Sequence, residues 1–200
     1  MDTPPKARDI IRSIVGCDLA AALKSAGFRK SGLTFTRRTG STGQLIQIQL
    51  SSWNYGSSGM FFVNVGVMFD DMCAKDIAPP SQPKYDDCQF MARLERIVPE
   101  APAHWGVGAQ TSSDEVSKLL TNHLVNWVIE PLDKVASLAD FERTGWVKAM
   151  PWGFPALYAY SLHRDNEAEL LVQEQAEFFK DRGVTRDSLI KSYGFSRLQC

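Results

Sequence analysis

The sequence predicts one α+β domain: an N-terminal helix packed on an antiparallel, meander-like sheet of about five strands, followed by a C-terminal helical region. Three stretches of distinct period predict it. Apolar residues recur three and four apart from Ala7 to Ala26, alternate between Leu33 and Phe69, and return to helical spacing after Ser112. A chain of 200 residues lies within single-domain range. It buries roughly 70% of its unfolded surface and needs no staple. The expected division is a sheet-containing core over 7–150 and a helical hairpin extension over 151–200.

The first helix carries its stripe on Ile10, Ile11, Ile14, Leu19, Ala22 and Leu23, and ends at Gly27, where a C-cap needs positive φ. Leu33 to Arg38 and Ile46 to Leu50 then alternate as strands. Thr39 to Gly43 joins them as a hairpin turn. Phe61 to Phe69 makes a third strand. Cys88 to Ile97 is read as a fourth strand or a short helix, and Ala103 to Gln110 as a fifth strand. The segment Asp70–Asp87, with Pro79, Pro80 and Pro83, is a surface loop. Ser112 and Glu115 fit a capping box, and Pro131 divides the helix that follows. Ala156–Leu162 and Asn166–Arg182 form the hairpin, with Asn166 and Glu169 as a second capping box. Thr185–Tyr193 is a last short helix.

Composition excludes several function classes. A formal net charge of −1 argues against a nucleic-acid binder that works by bulk charge. Cys17, Cys73, Cys88 and Cys200 form no C-x-x-C pair, and His104, His123 and His163 stand at no ligand spacing from them, so no metal and no cofactor is expected. The sparse thiols read as reduced and cytoplasmic, with Cys200 exposed at the end. The N-terminus lacks the apolar run of a signal peptide, and the stretch Met60–Phe69 is too short to span a membrane as a helix.

Gly27-Phe28-Arg29-Lys30-Ser31-Gly32 is followed by Thr34-Phe35, Arg37-Arg38, a Gln-rich strand ending at Ser52-Trp53-Asn54, and Phe62-Val63-Asn64-Val65-Gly66-Val67. Cys88, Arg93-Leu94 and His104-Trp105 continue the order. Over about residues 7–140 this succession resembles the domain of unknown function 4304 family, whose members are mostly bacterial. The resemblance implies an α+β domain and, with it, a bacterial source. It implies no activity and transfers no catalytic residue.

Strand periodicity sorts the sheet into two faces. Leu33, Phe35 and Arg37, with Ile46, Ile48, Leu50, Val63, Val65 and Val67, make the face read as a dry core. Thr34, Thr36, Arg38, Gln47, Gln49, Asn64, Phe62 and Met68 make a mixed face. Amides and hydroxyls both donate and accept, which suits a polar ligand or peptide, and Gly66 admits a close neighbour. Trp53 offers an anchor beside them. A solvated sheet face is the competing reading. Arg29, Lys30, Arg37 and Arg38 form the densest basic cluster, suited to phosphate or an acidic partner, or else to guarding an edge strand.

Nucleophilic and phosphate-loop motifs are missing: no G-K-[ST] follows Gly40 and Gly43, no third glycine completes Gly106 and Gly108, and no G-x-S-x-G occurs. Cys88 would need a base, and His123 is read as packed in its helix. Asp70-Asp71 and Asp86-Asp87 read as solvated pairs. Phe178 and Phe179 cannot both face the same way; burial between helices is the leading expectation, and exposure of one ring as a partner contact is the alternative. The leading expectation is a non-enzymatic intracellular binding protein, immunity-like in neutralising a protein partner, which is analogy with fold class. The binding candidates are Arg38, Gln47, Gln49, Trp53, Asn64, Arg29 and Lys30. The alternative is a small-molecule hydrolase or transferase using Arg38, Asn64 and His104 around a pocket on the polar face.

Overall fold

The computed structural model describes residues 4–73, 78–150 and 153–198. It divides into two compact units, Met1–Ser137 and Leu138–Cys200. The division falls before the helices at 138–150, earlier than the 150/151 division expected. Those helices belong to the second unit through an aromatic cluster in which Phe141 stands 6.0 Å from Trp146, 5.7 Å from Phe154 and 6.3 Å from Tyr158.

In the first unit the predicted helix runs as α1 (Ala7–Ile14), a wider π turn (Val15–Leu19) and α2 (Ala20–Ser25). Cys17, at ψ −136°, breaks the helical geometry inside that turn. The Leu19 N–H donates instead to Oγ of the buried Ser117, 3.3 Å away. Gly27 adopts φ +83°, as a C-cap requires, and the Phe28 N–H returns to the Leu23 carbonyl.

The sheet contains six strands among the described residues: β1 (Arg29–Ser31), β2 (Thr34–Thr39), β3 (Thr42–Leu50), β4 (Gly59–Phe69), β5 (Phe90–Arg93) and β6 (Trp105–Val107). The first five follow one another as an antiparallel meander, and β6 pairs with β4 at Gly59–Phe61. β1 is additional to the strands expected. The segment Cys88–Ile97 is both things at once, β5 followed by the short helix α3 (Leu94–Ile97).

The face read as purely apolar is apolar only in its middle. Phe35, Ile46, Val65 and Ala92 line up across four strands and are buried. At one end the same face carries Arg37, Thr42 and Gln44. The helix α4 (Ser113–Leu124) begins at the predicted cap, with Ser112 Oγ accepting from the Glu115 N–H. It leads through a π turn (Val125–Ile129) into α5 (Glu130–Leu132). Pro131 accounts for the widening, because it has no N–H and its ring crowds the preceding turn. The last residue of α5 and the chain just after it present carbonyls to the sheet. Gln44 Nε2 donates to the Leu132 carbonyl at 3.0 Å, and Thr42 Oγ1 to the Val135 carbonyl at 3.2 Å. Arg37 donates to the Ala26 carbonyl at 2.6 Å and to Gln44 Oε1 at 2.7 Å, and its Nη2 lies 2.7 Å from Asp133. The β2–β3 hairpin thus satisfies carbonyls at and just beyond two helix ends.

The second unit contains α6 (Leu138–Phe141), α7 (Gly153–Ser161), α8 (Asp165–Phe178) and α9 (Arg186–Tyr193). The turn between α7 and α8 places His163 at φ +58°. The capping box expected at Asn166 and Glu169 does not form: Glu169 is held instead by Arg186, at 2.5 and 2.9 Å. That pair holds the Glu169 carboxyl below its ordinary range. A reciprocal box forms at Thr185 and Ser188, where no glutamate advertised it. Phe178 is exposed and Phe179 half-buried, so the burial between helices expected for them fails at Phe178, because adjacent helical residues point about 100° apart. Among the described residues, no helix is long and apolar enough to cross a membrane. The expectation for Cys200 falls outside the described residues.

Candidate functional site

Strand register builds the mixed face in rows. Ser31, Thr34, Gln47, Asn64 and Arg93 form one row across five strands. Arg29, Thr36, Leu45, Gly66 and Met91 form the next, and Arg38, Gly43 and Met68 lie beyond it. Gln49 and Phe62 are paired on the opposite side of the first row.

The chain covers one half of this face with its own loop. Pro83 is buried against Gly43, where an added Cβ would stand 3.0 Å from Pro83 Cγ and 2.9 Å from Met68 Cε. At Gly66 an added Cβ would run into Met91 Sδ and would stand 2.9 Å from Cys88 Sγ. The close approach expected there is therefore made by side chains of this chain. Burial and the nearby Asp87 carboxylate push the Cys88 thiol up to about 12, the wrong direction for a nucleophile. Arg38 pairs with Asp70 and donates to the Pro80 carbonyl at 3.4 Å, so its charge is already used within the loop.

The other half stays open. Asn64, 4% exposed, donates its amide to Gln47 at 3.1 Å and to Gln49 at 2.9 Å, which fixes the orientation of both. Arg93 lies 3.9 Å over the Phe62 ring. Where the covered and open halves meet, a cleft of about 420 Å³ is lined by Ser31, Thr34, Thr36 and Gln47 on the sheet and by Gln82, Pro83, Lys84, Tyr85 and Asp86 on the loop. The loop's part of this cleft escaped sequence reasoning. Its one local signal was a turn of polar residues around Pro83, and Asp87 does pin that turn by accepting from the Lys84 N–H at 2.7 Å.

Past the open end, the segment between β3 and β4 carries Trp53, 86% exposed, and Tyr55, 89% exposed. Its backbone is tied down around them. Tyr55 and Ser58 exchange hydrogen bonds, Asn54 Oδ1 accepts from the Met60 N–H at 2.7 Å, and the Gly56 carbonyl accepts from the Ala7 N–H at 2.8 Å. Two large apolar groups are thus held in water by a segment that is not loose.

The sequence candidates therefore part company. Gln47, Gln49 and Asn64 form one hydrogen-bonded group, with Trp53 beyond it. Arg29 and Lys30 lie on β1 at the sheet edge, with Lys30 5.7 Å over Phe35. Arg38 and Asn64 are not brought together: their register positions on β4, Met68 and Asn64, are four residues apart, or about 13 Å along a strand. His104 is exposed in the segment before β6. His123 is buried, with its ring edge-on to Trp105 at 6.0 Å. Among the described residues, no group of three His, Cys, Asp or Glu side chains could hold a metal ion.

The family model for the domain of unknown function DUF4304 matches residues 19–152, and the chain belongs to that family. No curated protein and no solved structure matches it.

Proposed function

We propose that this member of the DUF4304 family is a non-enzymatic binding protein that docks a protein partner on the open half of its mixed sheet face. The supporting observation is the pairing of an oriented amide group with exposed aromatics on a tied-down segment. Gln47, Gln49 and Asn64 offer directional hydrogen bonds, and Trp53 and Tyr55 offer apolar area at little cost in conformational entropy. Apolar groups exposed together and rimmed by polar ones mark interaction sites. The proposal includes a bacterial cytoplasmic setting, in keeping with free Cys17, Cys73 and Cys88. Neutralisation of the partner, as an immunity protein does, is the form of binding proposed.

The test is affinity capture from the source organism with the wild type and with Trp53→Ala combined with Gln49→Ala. A protein captured by the wild type and lost with the variant, at unchanged melting temperature, supports the reading. Equal capture by both refutes it. The cleft supports a second reading, a small polar ligand held between Thr34, Gln47, Lys84 and Asp86 and processed there by a hydrolase or transferase. A small molecule that co-purifies and is lost on Gln47→Ala, with no protein captured, favours that second reading.

A further inference from the structure

The cleft between the loop and the mixed face contains a polar group that the fold leaves unused. Thr36 of β2 is only 7% exposed and lines the cleft, and its hydroxyl has no hydrogen-bond partner among the described residues. A hydroxyl this deep is costly unless something in the cleft meets it. The sheet wall around it is of one chemical kind. Thr34 and Gln47 pair in the adjacent row of the same face, with Ser31 on the far side of Thr34. The Gln47 carboxamide is already oriented: its Oε1 accepts from Asn64 at 3.1 Å, which leaves its NH2 group to donate. The loop wall opposite is mixed. Lys84 and Asp86 carry opposite charges, are exposed, and form no ion pair among the described residues. Between them Tyr85 is 47% exposed, so its ring has area to offer.

The two walls together discriminate among ligands. An anion gains at Lys84 and loses at Asp86, and a cation does the reverse. A zwitterion satisfies the loop wall and leaves the sheet hydroxyls to water. A flat apolar ring covers Tyr85 and leaves the Thr36 hydroxyl unpaired. A ring of hydroxyls suits both walls, because each of its groups donates and accepts, as the threonine hydroxyls do. The spacing agrees. Neighbouring side chains in a row across strands stand about 5 Å apart, close to the separation of alternate equatorial hydroxyls on a pyranose ring. The C–H face of such a ring is apolar and matches an exposed aromatic. A volume of about 420 Å³ is in the range of small-ligand sites. We propose that the cleft binds a neutral hexopyranose, its hydroxyls on Thr34, Thr36 and Gln47 and its C–H face on Tyr85. This rests on the second functional reading, a small polar ligand in the cleft, and supplies the class of that ligand.

The probes are glucose, galactose, mannose and N-acetylglucosamine, titrated one at a time to millimolar concentration into the full chain. The readouts are the NMR shifts of the Thr34 and Thr36 amides and of the Gln47 side-chain NH2. Saturable shifts at all three groups are expected with at least one sugar. Thr36→Val removes the hydroxyl and keeps the shape, so it should weaken that sugar about tenfold or more. It should not lower the melting temperature, because the hydroxyl fastens nothing among the described residues. Tyr85→Ala, at an exposed position, should also weaken the sugar without loss of stability. A sugar that binds both variants as well as the wild type, or a melting temperature that falls with Thr36→Val, overturns the proposal. Glycine and adenosine monophosphate are titrated in parallel. If either saturates these groups and no sugar does, the cleft stays a small-ligand site and the sugar class is overturned. If no probe shifts them, the sugar class and the second functional reading fall together.

Discussion

Arg37 and Arg38 are neighbours on β2 and serve opposite faces of one sheet. Arg37 points into the helix-covered side, where its side chain is 9% exposed and joins the end of α2, Gln44 of β3 and Asp133 beyond α5. Arg38 points to the mixed side, stays 28% exposed and fastens the loop through Asp70 and Pro80. The glutamines divide in the same way. Gln44 is fully buried and spent on carbonyls, while Gln47 and Gln49 lie on the face that remains partly open. A polar residue on a strand is thus a structural fastener on one side and an available binding group on the other. Residue type does not separate the two cases; partners and burial do.

The comparison can be broken most easily at Arg37. Arg37→Ala strips a buried cation from three partners and leaves the Ala26 carbonyl and Gln44 Oε1 unmatched, so a loss of about 3 kcal/mol is expected in urea unfolding. A loss below about 1 kcal/mol would show that the hairpin does not fasten the helix ends. Arg38→Ala should cost less, about 1 kcal/mol, because the pair with Asp70 is partly solvated. Its signature should be local: faster proteolysis of the loop around Pro80, with the melting temperature lowered only slightly. The smallest effect belongs to the open face. Trp53→Ala with Gln49→Ala should change stability by no more than about 0.5 kcal/mol, because neither side chain is buried. A larger loss would move these residues to the structural side of the comparison.

Much of the fold was legible because burial and periodicity carry it. The stripe from Ile10 to Leu23, the glycine that ends it, and the alternation in β3 and β4 each have one physical solution. β1 was not read, because Arg29-Lys30-Ser31 has no alternation of apolar and polar residues. The signal that would have found it is Gly32, which adopts φ +61° between Ser31 and Thr34, paired across a tight hairpin. The dry face was read as uniformly apolar because period two assigns a side but not a neighbour. Nothing near Gln44 in sequence announces carbonyls close to Leu132. The cleft was missed for a related reason: its loop wall has no period at all, and its position depends on Pro83 meeting Gly43. The site residues gathered by face, Gln47, Gln49 and Asn64, do lie together, since faces follow from alternation. Arg38 and His104 do not join them, since distance along a strand is invisible until register is known.

The hydrogen bond from Gln44 to Leu132 spans 88 positions of sequence. At about 5–20 residues per second of synthesis, the strand waits roughly 4–18 seconds for its acceptor to be made, and longer for that acceptor to leave the ribosome. Throughout that interval Thr42 and Gln44 lack the Val135 and Leu132 carbonyls, and Arg37 has the end of α2 but not Asp133. The nascent meander therefore carries hydrogen-bonding groups that keep one end of its inner face hydrated until α5 has emerged. The fasteners that complete the native fold also delay its closure, and they discourage the half-made sheet from sealing against another chain.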